Sequence, residues 1–361
     1  MMRSADRWRR SFPAVLLLLA LGSCEGSGFE SRESENAFIR KAVFAEGKVW
    51  LLNDNGQVSS ITPNGRSRRV DDLGRPVLDL CSANGRLLAI TRSGSPARWT
   101  FRTTRPAGRW SAGLEVPVGK EEGLEALLCI GQSTTLVSSD RLITVDDRKV
   151  WSVPLKGKLR GGLTSAAHAT REHVFLGFNA GEWGGGIQRI DRATGVVTSV
   201  ERNISGELCG GPLNKDCDPV HAIVDSPWRE GCIVAAVGLL HMLPHGRLVE
   251  ICGDDIHSIY TKAYDAGLPD IDERSDGEPR SSVAFFGLVR SGSGLLAAGM
   301  DGLYRFTAPG EAKLTQFPVM KSIDGVRLSF RHPGTVMVLS EIHRRKSLGG
   351  AAPMLIERRA N

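Results

Sequence analysis

Long apolar segments and basic tracts are scarce in this sequence. Beyond the first 23 residues, the longest apolar run covers residues 232–240. This run is too short to cross a bilayer as a helix, since that takes about 20 residues. The leader holds four Arg and one Asp, and without it the formal charge falls from +6 to +3 with no Lys/Arg tract. We therefore predict no further membrane span and no nucleic-acid function.

Motifs of catalysis are also missing. The sequence contains no Gly-x-Ser-x-Gly elbow, no Walker loop, no His-Glu-x-x-His and no Cys-x-x-Cys. No residue therefore stands out as an activated nucleophile or as part of a known zinc or redox motif. Helical periods of ten or more residues between strand-like runs are absent too, which argues against an α/β fold. The missing motifs favour a protein without catalytic activity over an enzyme.

What is present begins with a short leader. Its four Arg precede an apolar run at residues 14–21, which ends in Leu21-Gly22-Ser23-Cys24. This order resembles the lipobox of bacterial lipoproteins, with Leu, two small residues and then Cys. The resemblance implies cleavage before Cys24, a diacylglycerol thioether on its sulfur and a fatty acyl chain such as palmitate on the new N-terminus. It also implies an extracytoplasmic protein that is lipid-anchored to a bacterial membrane, which we expect to be the outer membrane on its periplasmic or surface face.

The same resemblance divides the chain into three parts. Residues 1–23 form the cleaved signal peptide, residues 24–37 form a tether, and residues 38–361 form the folded domain. The tether is rich in Gly, Ser and Glu and has one aromatic residue. It cannot bury much apolar surface and should be flexible. We expect the folded domain to be a monomer that is held to the lipid bilayer through acylated Cys24.

Six cysteines remain besides Cys24, and an even number in an exported protein suggests disulfide bonds. Cys209 and Cys217 are the favoured pair, because the residues between them are rich in turn formers that bring chain ends together at low entropic cost. Cys81 and Cys129 lie in apolar strand-like runs, where free buried thiols are at least an equal expectation. The connectivity of the six is left open.

The rest of the chain is repetitive. Seven apolar runs recur, and each follows another strand-like run and a turn such as Glu46-Gly47, Asn84-Gly85 or Pro333-Gly334. The runs are almost continuously apolar, as expected for strands that pack on both faces. They cover residues 48–52, 86–90, 135–138, 173–178, 232–237, 295–298 and 335–339.

Each repeat is long enough for four short strands. Residues 77–82, 87–91, 98–103 and 110–116 show the pattern, and four antiparallel strands make one propeller blade. Dividing the folded domain by seven gives about 46 residues per repeat, within the usual blade length. The sequence therefore predicts an all-β fold with little helix, namely a seven-bladed β-propeller of four-stranded antiparallel blades.

Two short motifs resemble known propeller repeats. Residues 190–195, with Asp191, Thr194 and Gly195, are similar to the Asp-x-x-Thr-Gly turn of quinoprotein-like repeats. Residues 301–306 resemble the end of a regulator-type propeller repeat. The resemblance supports the fold and says little of the chemistry, because propellers host unrelated functions.

The last repeat has only three strand-like runs, at residues 326–331, 335–341 and 353–357. An unclosed ring would leave strand edges exposed, which proteins usually avoid. We therefore predict that residues 29–40 supply an N-terminal strand that closes the final blade.

The loops that follow the second strand of each blade, and those between blades, emerge on one rim of a propeller. After residue 178 the fourth repeat continues with Asn179 and a glycine-rich stretch that displays Glu182 and Trp183. Glycine allows close backbone approach, so we predict ligand-binding roles for Asn179, Glu182 and Trp183. A glycine-rich hairpin whose Trp183 packs on the rim is the alternative.

The fifth repeat adds four polar residues at the same rim. Asp216, Asp218 and His221 surround the start of its first strand, and His241 follows its second strand. Antiparallel pairing would bring His241 opposite Asp216 and turn His221 towards the channel. Carboxylates and imidazoles bind metals or transfer protons, but Asp before a strand is also an ordinary turn former. Structural hydrogen bonding therefore remains the alternative to ligand binding.

Calcium is the one cofactor that the sequence suggests, through an acidic loop at residues 267–280. The EF-hand order requires an acid or amide where Arg274 stands, so the match is incomplete. A solvated acidic loop is the alternative, and we assign no metal ligand. The acidic residues are Asp270, Asp272, Asp276 and Glu278.

Two hypotheses follow for the function. The first is a membrane-anchored lipoprotein that binds a protein or small-molecule ligand through its loop rim and does no chemistry. The second is a metal-assisted hydrolase or lyase with its site at the channel mouth. Because metal ligands must share one ion, convergence of the rim groups would favour the second hypothesis. These groups are Glu182, Asp216, Asp218 and His241.

Overall fold

The computed structural model describes residues 39–357, except for 62–67, 106–108, 147–148, 162–163, 204–209, 241–242, 265–276, 278, 280, 316–325, 332–334 and 341–353. Regular structure in these residues is β-strand apart from one 3₁₀ turn, Gly181–Trp183. No helix among them is long and apolar enough to cross a bilayer. The predicted all-β fold is confirmed for this part of the chain.

The first three blades are four-stranded antiparallel sheets in which neighbours in sequence are neighbours in the sheet. Blade 1 comprises β1 (Ile39–Ala45), β2 (Lys48–Asn53), β3 (Val58–Ile61) and β4 (Arg68–Asp71). Blade 2 comprises β5 (Val77–Ala83), β6 (Arg86–Ser93), β7 (Arg98–Thr104) and β8 (Trp110–Pro117). Blade 3 comprises β9 (Leu124–Ile130), β10 (Ser133–Ser138), β11 (Arg141–Asp146) and β12 (Lys149–Pro154).

Three further blades have the same topology. Blade 4 comprises β13 (Thr164–Ala169), β14 (His173–Phe178), β15 (Ile187–Asp191) and β16 (Val197–Val200). Blade 5 comprises β17 (Val220–Asp225), β18 (Ile233–Leu239), β19 (His245–Cys252) and β20 (Asp255–Tyr260). Blade 6 comprises β21 (Phe285–Ser291), β22 (Gly294–Gly299), β23 (Gly302–Ala308) and β24 (Glu311–Thr315).

The last described strands form a three-stranded antiparallel sheet of β25 (Val326–Arg331), β26 (Thr335–Ser340) and β27 (Met354–Glu357). The described residues thus form six four-stranded blades, and the predicted number of seven is wrong. The count rested on the apolar second strand of each repeat, and β26 is such a strand in a sheet that has only three.

The first strand of each blade contacts the first strand of the next, and β25 contacts both β21 and β1. These strands therefore surround a common axis, as in a β-propeller. Ile39 and Arg40 belong to β1, which pairs with β2 in blade 1. The rest of the predicted closing strand, residues 29–38, lies outside the described residues, and closure by it stays a prediction.

Tight turns join the first and second strands of the first two blades. Glu46 and Gly47 have φ of +56° and +70°, and Asn84 and Gly85 have φ of +50° and +76°. Both positions of each turn are thus in the left-handed region, as in the two-residue turns whose twist matches that of the flanking strands. These are two of the turns that the sequence predicts.

Apolar packing between neighbouring sheets forms the core, and β18 shows how. Ile233, Ala235 and Val237 pack with residues of blade 4, whereas Val234 and Ala236 pack with residues of blade 6. All five are buried. Both faces of the second strand are therefore covered, which explains why its sequence is continuously apolar and not alternating.

The first strands share a local irregularity at one end. In each of the six blades, the register between the first strand and the second shifts by one residue, so that the second residue of the first strand is skipped in the register. Such an extra residue in one strand is a β-bulge, which bends the strand and re-aims side chains. The six bulged residues are Arg40, Leu78, Glu125, Ser165, His221 and Phe286.

Two disulfide bonds lie within the described residues. Cys81 of β5 is bonded to Cys129 of β9, so this bond joins the first strands of blades 2 and 3. Cys232 is bonded to Cys252 within blade 5. Cys217 is also disulfide-bonded, and Cys209, its predicted partner, lies outside the described residues. The free thiols considered for Cys81 and Cys129 are thus overturned, because adjacent first strands bring the two sulfurs together.

We expect the Cys81–Cys129 bond to stabilise the ring substantially, because it closes 48 residues of chain. Replacing both cysteines by Ala should lower the free energy of unfolding by about 4 kcal/mol, from the loop entropy restored to the unfolded chain. Urea denaturation under oxidising conditions measures this change. Replacing Cys232 and Cys252, which close 20 residues, is the matched control, with an expected loss of about 3 kcal/mol. A loss below about 1 kcal/mol for the first pair would contradict the expectation.

Candidate functional site

An open cavity of about 350 Å³ lies among the first strands of blades 1 to 4. Its walls are formed where these strands begin, and Asn179, which directly follows β14, also lines it. The cavity therefore opens at the end where the predicted rim residues stand. Its size is at the lower limit for small-molecule sites. The polar lining residues are Arg40, Lys41, Asp79, Glu125, Thr164, Ser165 and Asn179.

The bulges explain why this lining is so polar. In a regular strand successive side chains point to opposite faces. Here Arg40 and Lys41 both line the cavity, as do Leu78 and Asp79, because the bulge breaks the alternation. Polar and charged side chains can thus face the axis at the start of each of these first strands.

Asp79 connects three blades at the cavity wall. Its Oδ1 lies 2.8 Å from Nζ of Lys41 on β1, and its Oδ2 accepts a hydrogen bond of 2.9 Å from the Leu127 N–H on β9. The side chain is 14% exposed. Because a partly buried carboxylate needs such partners, its position is fixed on both sides.

The other cavity-lining groups also bond across blade boundaries. The guanidinium of Arg40 donates to the carbonyl of Leu78. The hydroxyl of Thr164 donates to Oε2 of Glu125 over 3.2 Å, and the hydroxyl of Ser165 donates to the carbonyl of Val220. The mouth therefore carries two cationic and two carboxylate side chains in fixed places.

His221 and Phe286, the bulged residues of blades 5 and 6, contact each other next to this cavity's strands. Their rings are 5.1 Å apart and nearly perpendicular. Nε2 of His221 lies 2.7 Å from the carbonyl oxygen of Gly238. The His221 ring thus contacts both its own blade and blade 6. Its predicted role in ligand binding stays a prediction.

The predicted residues of blade 4 lie on the rim. The N–H of Gly181 donates to Oδ1 of Asn179 over 2.8 Å, which starts the 3₁₀ turn that contains Glu182 and Trp183. Glu182 is exposed, and Trp183 is 83% exposed. Trp183 is therefore not packed on the rim, which was the alternative, and its indole is presented to solvent.

Asp216 lies on the same rim and is half exposed. Its Oδ1 is 3.5 Å from Nη2 of Arg160. Arg160 donates from Nη1 to the carbonyls of Gly185 and Lys215, at 2.5 and 2.7 Å. This arginine thus links the loop after β14 to the connection between blades 4 and 5.

Asp218 has a different environment, because it is fully buried. Its Oδ2 accepts a hydrogen bond of 2.6 Å from Arg247, which is 3% exposed, and one of 2.7 Å from the Asn214 N–H. Arg247 also donates to the carbonyl of Pro212 over 2.8 Å. His245 Nε2 lies 3.5 Å from Asp218 Oδ1, and neither atom makes a hydrogen bond within the described residues. Asp218 is thus paired with Arg247 directly before the first strand of blade 5.

The same arrangement recurs at blade 3. Glu122 stands two residues before β9, as Asp218 stands two before β17. Arg141, the first residue of β11, bonds Glu122 at 2.9 Å and also donates to the carbonyl of Pro117. We call these two assemblies, Glu122 with Arg141 and Asp218 with Arg247, the rim latches. Each one fixes the connection that leads into a first strand.

The Glu122 latch keeps its carboxylate ionised. Burial by itself would raise the pKa of Glu122, but the hydrogen bond from Arg141 and that from the Gly119 N–H outweigh it, and the pKa lies below its usual value. A lowered carboxylate pKa means that the latch stabilises the fold at neutral pH and loses this contribution as the pH falls below about 4.5.

A further polar cluster lies between blades 5 and 6. Nζ of Lys262 is 2.7 Å from Oδ2 of Asp301, and the hydroxyl of Tyr304 donates to the same carboxylate over 2.7 Å. Burial raises the pKa of Tyr304, and its bond to Asp301 raises that pKa further. The hydroxyl therefore stays a donor, and this cluster connects blade 6 to the connection that leads into it.

Not all the predicted site residues can be placed. His241, and with it the acidic residues Asp270, Asp272, Asp276 and Glu278, lies outside the described residues. Within the described part of the chain, no three His, Cys, Asp or Glu side chains are arranged to hold a metal ion. Asp216 and Asp218 face arginines instead.

Sequence reasoning missed the cavity and the latches. Asp79 and Glu125 could have been noticed as single acids near the start of otherwise apolar first strands. The rim latches have a weaker sequence pattern. Each has an arginine near the start of the third strand of a blade and an acid two residues before the first strand of that blade. Their pairing across about 20 to 30 residues is visible only in the structure.

Comparison with solved structures supports the fold. The chain is 12% identical, with a TM-score of 0.50, to the extracellular domain of a protein assigned as a one-component system of B. thetaiotaomicron; the match covers 91% of this chain but only 39% of the length of that one. It is 13% identical to YCF48 bound to D1 peptide, with a TM-score of 0.52 and coverage of 84% and 89%.

YCF48 from Cyanidioschyzon merolae is a further match, with 13% identity, a TM-score of 0.50 and coverage of 89% of this chain and 95% of that one. No protein-family model and no curated protein matches this chain. At these identities the likeness establishes the β-propeller fold and nothing finer.

We expect the Asp218–Arg247 pair to be strongly coupled. Asp218→Asn or Arg247→Met alone should lower the free energy of unfolding by about 3 to 5 kcal/mol, because each leaves an uncompensated buried charge. The double variant should lose less than the sum of the two. Urea denaturation of the four proteins gives the coupling energy. Glu201→Gln, which breaks the exposed pair with Lys215, is the control and should cost below about 1 kcal/mol. Additive losses in the double variant would show that the pair is not a unit.

Proposed function

We propose that this chain is a binding scaffold whose axial cavity takes a short peptide segment of a partner protein. The observation that supports this most is the set of bulges at the starts of the first strands, where two cations and two carboxylates line a cavity that also holds apolar side chains such as Leu78 and Leu124. A peptide backbone offers donors and acceptors side by side, and its side chains fill apolar space. Because both signs of charge are present, a strongly charged small ligand fits less well.

The fixed geometry of the mouth also favours binding. Lys41, Asp79 and Glu125 are already bonded to neighbouring blades, so little conformational freedom remains to be lost when a ligand binds. One structural neighbour, YCF48, is known bound to D1 peptide, which supports peptide binding by a propeller of similar size.

An extracytoplasmic location is part of this proposal. Disulfide bonds persist in oxidising compartments and are rare in the cytosol, and the fold holds the Cys81–Cys129 and Cys232–Cys252 bonds. We further propose that Cys24 carries the lipid anchor, that residues 29–38 cover the edge of the three-stranded sheet, and that the domain is a monomer. Calcium in the acidic loop stays a prediction.

A library of random pentapeptides tests the cavity proposal. Purified mature protein should retain a subset of peptides, identified by mass spectrometry, and one retained peptide then serves for calorimetry. Glu125→Gln and Arg40→Gln should each weaken its binding by roughly tenfold to a hundredfold, because each removes a charge-assisted hydrogen bond of about 1.5 to 3 kcal/mol. Glu115→Gln, on the outer strand β8, is the control and should bind normally. Retention of no peptide, or equal binding by all variants, would contradict the proposal.

Metabolic labelling tests the anchor. The wild type should incorporate labelled palmitate and sediment with membranes, whereas Cys24→Ser should remain unlabelled and appear in the soluble fraction. Ser23→Ala keeps a small residue before the cysteine and should behave like the wild type. Membrane association of unlabelled Cys24→Ser would contradict the lipid anchor while leaving the cavity proposal intact.

A further inference from the structure

A second open cavity, of about 540 Å³, lies between the outer strands of blade 3 and two turns of blade 4. We call it the outer groove. Thr144 and Trp151, which are paired across β11 and β12, stand on its blade 3 wall. Residues 171–173 and 191–193 form its blade 4 wall. The groove shares no lining residue with the axial cavity.

Exposed apolar side chains are concentrated around the outer groove. Four large hydrophobic residues of the described part of the chain are exposed, and three of them, Val150, Trp151 and Val196, belong to β12 or directly precede β16. Trp151 lines the groove itself and is 48% exposed. An indole left half open to water in a concave site is a common anchor for a ligand.

The opposite wall is rigid. The carboxylate of Asp191 accepts hydrogen bonds from the N–H groups of Ala193 and Thr194, at 3.0 and 2.7 Å. Arg192 donates from Nη1 to the carbonyl of Thr170 over 2.9 Å, and its own N–H bonds the carbonyl of Glu172. The two turns of blade 4 are therefore tied to each other, and the wall is formed before any ligand arrives.

Two charged groups of this wall make no polar contact with the described residues. The side chains of Arg171 and Glu172 line the groove, and neither makes a hydrogen bond or ion pair with the residues that the structure describes. Both are exposed. They are planar groups, one a donor and one an acceptor, and they stand across the groove from the wall that carries Trp151.

The charges of the groove cancel. Arg171 and Arg192 oppose Glu172 and Asp191, and the hydrogen bond from the Thr194 hydroxyl lowers the pKa of Asp191. Asp191 thus stays ionised at neutral pH. A groove with two cations, two carboxylates and an open indole fits a ligand that is uncharged and rich in hydrogen-bonding groups.

We propose that the outer groove binds an uncharged oligosaccharide. A sugar ring has one face of C–H groups, which can pack on the Trp151 indole, and a rim of hydroxyls that donate and accept hydrogen bonds. A guanidinium and a carboxylate can each hold two adjacent hydroxyls, and Arg171 and Glu172 supply one of each on the wall that faces Trp151. The volume is sufficient for a ligand of two or more sugar rings, within the usual range for small-molecule sites.

Calorimetry on the purified mature protein tests this assignment, with maltotetraose, cellotetraose and tetra-N-acetylchitotetraose as separate probes. At least one should bind and change the tryptophan fluorescence. Trp151→Ala should weaken binding by about 30-fold or more, as expected for loss of a central aromatic contact, and Glu172→Gln should weaken it less. Glu115→Gln, on the outer strand of blade 2, is the matched control for Glu172→Gln and should bind normally.

Three results would overturn the proposal. These are binding of none of the three sugars at millimolar concentration by folded protein, equal binding by Trp151→Ala and the wild type, and a proline-rich decapeptide that perturbs Trp151 when the sugars do not. The last result would identify the groove as a peptide site. None of them bears on the axial cavity, whose variants lie on other strands.

Discussion

Two buried carboxylates, Glu122 and Asp218, fix the connections that lead into the first strands of blades 3 and 5. Between facing sheets the chain needs only apolar packing, but where a connection enters a first strand its backbone groups must be satisfied as well. Asp218 and Glu122 do this by pairing with Arg247 and Arg141, each of which also bonds a carbonyl of the connection. A buried ion pair is costly to form and costlier to break halfway. The connections are therefore confined to one arrangement, and the rim forms a fixed frame.

The bulges place polar and charged side chains in the axial cavity. In a regular strand alternate side chains point to opposite faces, so two successive residues of a regular first strand would not both line the cavity. The bulge at the second residue interrupts the alternation at the start of each first strand, and Asp79 and Glu125 line the axial cavity there. The same carboxylates bond neighbouring blades, so the cavity and the joints between blades are built from one set of groups.

Local features of the fold could be predicted from the sequence, and long-range ones could not. The turns at Glu46-Gly47 and Asn84-Gly85 and the continuously apolar second strands depend on residues close in the chain. The bulges depend on the register between two strands, and the partner of Asp218 lies 29 residues away. Acids on a rim are as suitable for structural pairs as for metal sites. For that reason Asp218 drew attention as a ligand, although it is bonded to Arg247.

Hydrogen exchange of the wild-type protein at neutral pH tests the rigid rim most directly. The N–H groups of Asn214 and Gly186 bond to oxygens of Asp218, although both residues lie in connections and not in strands. Our account predicts that peptides spanning residues 213–219 and 184–187 exchange as slowly as those from β18. Exchange as fast as that of the exposed turn at Gly253 and Asp254 would show that the rim is open to water, and the account of a preformed cavity would then be wrong.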